Sequence, residues 1–308
     1  MINSDKFLCK VPVVLIIYRR PQMTARIIDS LRNVKPSEIF VIADGPKNIK
    51  DAVKCQKTRA LIKSIDWKCK IYRKYSSKNL GLRKRVVSGL NWVFSKVDRA
   101  IILEDDLEID RSFYRFCSDM LDKYKDNEKV ISISGNNFIF GRHKINNSYY
   151  FSKFIYSWGW ATWKRAWKLY DDDMLDWPKL KKLGTLKKIT GGFGKYLYWT
   201  RIFDLTYKEI INSWAYRWIY TSFVNKKLSI VPCENLVANV GIGKDATHTA
   251  VKSRVLGIPI KNIKFPLKHP KIIKADIVAD AIVEKTLYIT PRIVAGLLIK
   301  PFLYHLKN

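Results

Sequence analysis

The strongest chemical signal in the chain is a run of acids. Glu104-Asp105-Asp106 follows the apolar stretch Ile101-Ile102-Leu103 and precedes Leu107-Glu108. Three adjacent carboxylates at the end of a buried strand repel one another and lose hydration. A divalent cation shared with a diphosphate relieves both costs. Mn²⁺ or Mg²⁺ suits oxygen donors and needs only one or two carboxylates beside phosphate oxygens. The alternative is a solvated acidic turn leading into a helix, where acids are also favoured. Tyr18-Arg19-Arg20-Pro21 follows the apolar run that starts at Val11. A guanidinium there can pair with phosphate oxygens in a forked geometry. Arg19 is the preferred contact, against an exposed Arg beside a helix start. Asn79-Leu80-Gly81-Leu82-Arg83 places Gly and then basic residues at a helix N-terminus, which suits an anion and makes Arg83 a candidate for phosphate or base. Asp44, in Ala43-Asp44-Gly45, reads from local chemistry as a turn former.

Two later stretches also carry chemistry. In Ser157-Trp158-Gly159-Trp160-Ala161-Thr162-Trp163 a Gly between two Trp permits close backbone approach, and aromatic faces stack on sugar rings. Trp163 and Trp167, at helical spacing, read as core instead. Val240 to Thr249 contains two Gly, Asp245 and His248. An imidazole is a reasonable Mn²⁺ ligand, although a lone His is more often structural.

These residues need elements to hold them. Strand patterns at Val11–Tyr18, Glu38–Ala43, Lys70–Tyr75, Arg99–Leu103 and Val130–Ser134 alternate with helical patterns. The helical patterns run to about Leu31, near Lys50–Ser64, over Leu82–Ser95 and over about Ser112–Tyr124. Alternation of this kind predicts an α/β fold with a mostly parallel sheet covered on both faces. Crossover handedness gathers the strand C-termini on one edge, where Arg19, Asp44 and the Glu104 cluster should converge. Beyond Asn136 the pattern turns irregular and aromatic-rich. The expected organisation is one domain over residues 1–270, with a nucleotide-sugar half (1–135) and an acceptor half (136–270), then a basic and apolar extension over 271–308.

With these motifs in hand, the chain resembles the GT-A (Rossmann-like) glycosyltransferases, and among them the family of N-acetylglucosaminyltransferase I with its bacterial surface-polysaccharide relatives. The likeness runs over about Val11 to Thr249, and the acidic triplet looks like that family's variant DXD motif. It implies a metal-dependent inverting transfer of a sugar from a nucleotide diphosphate, most naturally UDP, to a hydroxyl of a surface polysaccharide or lipid-linked oligosaccharide. By resemblance Asp106 is the metal ligand, with His248 a second; Glu104 and Asp105 contact the donor; Tyr18 and Arg19 lie where the nucleotide is held; and Asp44 recognises the base. Trp158, Gly159 and Trp160 are expected to shape the acceptor pocket. An inverting reaction needs a base for the acceptor hydroxyl. Where the family carries an Asp, Ser213-Trp214-Ala215-Tyr216-Arg217-Trp218 has Ala215, which accepts no proton. Either the base lies elsewhere, with Asp245 first and Asp204 or Glu209 behind it, or the position was changed to disable the enzyme, or the likeness is displaced here by a few residues.

Composition frames the partners. Fifty-seven Lys and Arg against 27 Asp and Glu give a net charge of +30, which attracts phosphorylated substrates or acidic lipid surfaces. The cations are spread along the chain, and no zinc-finger or RNA-recognition signature accompanies them, so nucleic acid is not expected as a partner. Five Cys without a CxxC pair suggest a reducing compartment, and Met1–Lys10 lacks a leader-like apolar run; together they predict a cytoplasmic location. From Ile277 to Leu306 apolar residues are interrupted by cations and prolines, which suits a helix lying on the inner membrane face or one closing the core. Two rival activities are a sugar-1-phosphate nucleotidyltransferase, which wants a Gly-rich loop after the first strand, and a basic nucleic-acid-binding protein.

Overall fold

The computed structural model describes residues 7–241 and 258–289. Its centre is an eight-stranded sheet in the order β3-β2-β1-β4-β8-β6-β9-β7. The nucleotide half supplies β1 (Val13–Ile17), α1 (Pro21–Arg32), β2 (Glu38–Ala43), α2 (Ile49–Ala60), β3 (Lys70–Tyr75), α3 (Leu82–Phe94), β4 (Arg99–Glu104), β5 (Leu107–Ile109), α4 (Ser112–Lys123) and β6 (Val130–Ser134). Strands β3, β2, β1 and β4 are parallel neighbours. The apolar runs of β2, β1 and β4 are nearly continuous because both faces are covered, and all five residues of β1 are buried; β3, at the edge, is half polar and part-exposed. The chain steps outward from β1 to β2 and β3, then returns through α3 to β4 on the other side of β1. That reversal makes a topological switch point between the tips of β1 and β4. Register fixes it closely: Ile16 lies opposite Glu104, so Tyr18 and Arg19 emerge beside the acids.

The second half is not separate from this sheet. It contributes β7 (Tyr149–Ser152), β8 (Trp160–Trp163), α5 (Lys164–Trp167), α6 (Trp177–Lys182), α7 (Thr185–Thr190), α8 (Phe193–Tyr207), α9 (Trp214–Val224), β9 (Leu228–Pro232), β10 (Val237–Asn239) and α10 (Ile277–Val283). Strand β8 inserts antiparallel between β4 and β6, β9 runs parallel to β6, and β7 closes the edge antiparallel. Short β5 and β10 pair as a two-stranded ribbon just beyond the acidic triplet. The aromatic excess packs here: Trp160, Trp177, Trp199 and Trp218 are all within 1 % of full burial.

Part of the expected extension belongs to the body. Ala279 and Val283 of α10 are in the core, and Asp280 accepts a hydrogen bond from Ser152 Oγ. The core-closing alternative therefore describes 277–289. None of the described helices is long and apolar enough to cross a membrane.

Candidate active site

The tip of β4 turns sharply, because β5 must begin at Leu107. Asp105 and Asp106 are thereby held at 7 % and 8 % exposure. Burial first, and then the neighbouring carboxylates, push the Glu104 and Asp105 carboxyls upward from their ordinary range. The backbone N–H of Tyr18 donates to Asp105 at 3.2 Å, joining the β1 tip to the β4 tip. Arg20 reaches Asp106 Oδ2 at 2.6 Å and lies 3.7 Å from Asp105. Asp106 Oδ1 is buried with no hydrogen-bond partner among the described residues.

That orphaned oxygen tests whether the residues fit a metal. A hard divalent ion wants oxygen donors and completes its shell with phosphate oxygens, so one carboxylate oxygen directed into the site is an adequate start. No group of three or more His, Cys, Asp or Glu that could hold an ion occurs among the described residues. The donor set thus fits an ion held jointly by Asp106 and a ligand, not a closed protein cage.

The segment after β10 arrives at the same point. Val240 N–H donates to the Asp106 carbonyl at 2.8 Å, and Gly241 lies so close that a Cβ there would sit 2.2 Å from Asp106 Oδ2. Only glycine admits this approach. Asp245 and His248, further along the segment, lie outside the described residues.

A hydrogen-bond network spreads from the acids along the strand tips. Tyr18 Oη donates to Asp51 Oδ2 at 3.0 Å, and Arg19 pairs with Asp51 Oδ1 at 2.5 Å. Burial raises the Asp51 pKa, but the bonds from Arg19 and Tyr18 outweigh it and leave the carboxyl below its ordinary value. Asn79 Nδ2 donates to Tyr18 Oη at 3.1 Å and to Asp44 Oδ2 at 3.1 Å. The expected convergence of the Arg19, Asp44 and Glu104 regions is therefore present in the geometry.

Several individual expectations change. Arg19, preferred as the phosphate contact, is engaged by Asp51; its neighbour Arg20 is the cation at the acids. Asp44 receives Gly45 N–H and Leu80 N–H on Oδ1 at 2.9 Å each, and Gly81 N–H on Oδ2 at 3.0 Å, besides Asn79. Four donors fill the roughly four acceptor sites of a carboxylate. Asp44 is thus the organiser of the 79–81 loop, and its oxygens have no place for a base N–H. Arg83 is 5 % exposed and points to Glu209 at 2.7 Å and Asp172 at 3.3 Å, so two acids already neutralise it. Of the reserve bases, Glu209 is this partner of Arg83, and Asp204 is tied to Lys181 at 2.7 Å and to Trp177 Nε1 at 3.0 Å.

The aromatic loop divides. Gly159, at φ +60, has its carbonyl bonded by Gly135 N–H at 2.7 Å and packs against Val237 of the β5–β10 ribbon. Trp158 is half-buried and meets Phe138 edge-on at 5.3 Å. Trp160 is 1 % exposed and stacks on Trp214 at 5.5 Å. A ring enclosed inside β8 offers no face to a sugar, so Trp160 is core and not acceptor contact. Asp51 was missed at the sequence level, where nothing marks it, and Arg20 and Asn79 stood inside the motifs noted there without a role of their own; the switch-point topology assembles all three.

No family model matches the chain, and no curated protein matches it. Solved structures to which the chain shows similarity include UDP-glucose pyrophosphorylase complexed with UDP-glucose, at 9 % identity, TM-score 0.35, covering 51 % of this chain and 78 % of that one. HddC from Yersinia pseudotuberculosis complexed with GMP-PN matches at 11 % identity, TM-score 0.32, over 50 % and 77 %. A 4-diphosphocytidyl-2C-methyl-D-erythritol synthase from Anaerococcus prevotii matches at 11 %, TM-score 0.31, over 52 % and 75 %. Likenesses of this degree carry no argument about activity. What the chain's own geometry defines is a mixed α/β protein with a mostly parallel sheet and a buried acidic site at its switch point.

Proposed function

We propose that this chain is a metal-dependent inverting glycosyltransferase of GT-A type, with a UDP-linked sugar as donor. The observation that carries the reading is the orphaned, buried Asp106 Oδ1 at the switch point, with the Gly241 backbone packed against the same carboxylate. Asp106 would hold Mn²⁺ or Mg²⁺ jointly with the donor diphosphate, and His248 is the proposed second ligand. When bound, the ion neutralises charge on the departing nucleoside diphosphate. Asp105, fixed by Tyr18 N–H, and Glu104 face the sugar and ribose side. Arg20 supplies a guanidinium beside the acids that would pair with a donor phosphate oxygen. Asp245 takes the proton of the acceptor hydroxyl as that oxygen attacks the anomeric carbon. Trp158 and Gly159 line the acceptor side. The acceptor is a surface polysaccharide or lipid-linked oligosaccharide, and the +30 chain works peripherally at the cytoplasmic face of an anionic membrane.

The competing activity, nucleotidyl transfer to a sugar 1-phosphate, finds no Gly-rich loop after β1: Tyr18-Arg19-Arg20 leads straight into Pro21 of α1. Products separate the two. Incubation with UDP-sugars, Mn²⁺ and a lipid-linked acceptor should release UDP. Pyrophosphate from UTP and a sugar 1-phosphate, with no UDP from any UDP-sugar, would reverse the assignment.

A further inference from the structure

From Trp177 to Phe203 the chain carries Lys179, Lys181, Lys182, Lys187, Lys188, Lys195 and Arg201 and no acid. This stretch forms α6, α7 and most of α8. One side is committed to the core through Trp177, Leu186, Tyr198 and Trp199. The other side is unusual for a surface in water: Leu183 is 66 % exposed, Phe193 71 %, and Leu175 just ahead of α6 is 76 %. Phe193 is displayed by its neighbours. Gly191, at φ +66, and Gly192 precede it and Gly194 follows, so small residues flank the ring. Single exposed apolar residues need no explanation, but Leu183 and the Phe193 ring exposed within one acid-free stretch do.

The charges around this ridge are largely uncompensated. Lys181 pairs with Asp204, and Lys195 pairs with Glu284. Lys179, Lys182, Lys187 and Lys188 are exposed and have no carboxylate partner among the described residues. A polyanion without an apolar layer would use these lysines and leave Leu183 and Phe193 in water. A bilayer with anionic headgroups satisfies both: phosphates meet the ammonium groups, while the ring and Leu183 enter the acyl boundary. The last described turn lies on the same helix, since the Tyr288 ring packs against Trp199 at 4.9 Å and Tyr198 at 6.0 Å.

We infer that the α6–α8 ridge, with Phe193 at its tip, seats this protein on an anionic lipid surface. The inference extends the membrane side of the proposed function and places the contact on folded residues of the body. Its test reads lipid binding alone, so it stands or falls apart from sugar transfer, which a detergent-solubilised acceptor examines separately.

The experiment is co-sedimentation of the full chain with phosphatidylcholine vesicles, with and without phosphatidylglycerol. The parent should bind only the anionic vesicles. Each lysine near such a surface contributes on the order of a fivefold change in partitioning. Lys187→Gln with Lys188→Gln should therefore weaken binding by roughly tenfold or more. Phe193→Ser, at a position with little packing to lose, should weaken it as well. Lys57→Gln with Lys63→Gln, removing the same charge from the far edge of the sheet, should leave it unchanged. Absence of parent binding would overturn the inference, as would parent-like binding by Phe193→Ser. Equal loss from the two lysine pairs would reduce the effect to diffuse charge. A lower solution mass of Phe193→Ser without lipid would assign the ridge to contact between copies.

Discussion

Asp106 and Arg20 form the tightest unit of the site, and its energetics are asymmetric. A mostly buried guanidinium offsets one carboxylate oxygen while the other has no partner among the described residues. Losing one member of such a pair leaves a charge uncompensated, which costs a few kcal/mol. Arg20→Ala should lower the metal-free melting temperature by several degrees, and Mn²⁺ with UDP-sugar should recover more of it than in the parent, as differential scanning fluorimetry would read. Asp44 illustrates what the sequence could and could not disclose. Its Asp-Gly setting spoke for a turn, whereas in the structure residues 44–46 leave β2 without one and Asp44 anchors the 79–81 loop; the base-recognition role came from family resemblance, and four donors now occupy its oxygens. Asp44→Asn can no longer accept all four, so it should lose about 1–3 kcal/mol of stability in urea titration. The sequence reading preferred Arg19 to its neighbour Arg20, and the structure puts Arg20 at the acids. Only the position of Asp51 on α2, unknowable from spacing, decides which of them reaches the acids.

At the scale of elements, the parallel half was legible because β1, β2, β4 and β6 are largely apolar runs alternating with helical patterns, although edge strand β3 is half polar. Glu38–Ala43, Lys70–Tyr75 and Val130–Ser134 fall where those patterns stood. Strands β7, β8 and β9 were hidden, since four or five aromatic and apolar residues buried on both faces give no alternation to detect. For the same reason Trp160 looked like a loop residue, when it is the first residue of β8. The β10 exit is the element most specific to the site. Gly241→Ala drives a methyl group into Asp106, and either the carboxylate or the segment must move. Disturbing a group that orients a metal ligand commonly costs 10–100-fold in metal affinity. Isothermal titration of Mn²⁺ with UDP should show a loss of this order, while the circular dichroism spectrum stays that of the parent.

At the scale of the whole molecule, the C-terminal elements tie to the sheet through buried charge. Burial pushes the Asp280 carboxyl up to about 6, against hydrogen bonds from Ser152 and Lys153 that lower it. The folded state therefore holds this proton more tightly than the unfolded chain. The associated stability is complete below about pH 4 and is lost as pH rises through about 6, a difference on the order of 3 kcal/mol. Asp280→Asn should flatten the pH 4–6 part of the stability curve relative to the parent and raise the melting temperature at pH 7.5. Thermal stability also reads the central claim, because a ligand that binds only the folded state raises the melting temperature. The decisive measurement is the melting temperature with a UDP-sugar, with and without Mn²⁺, for the parent and for Asp106→Ala. The account predicts a Mn²⁺-dependent rise in the parent that disappears in Asp106→Ala; an undiminished rise in the variant would contradict it.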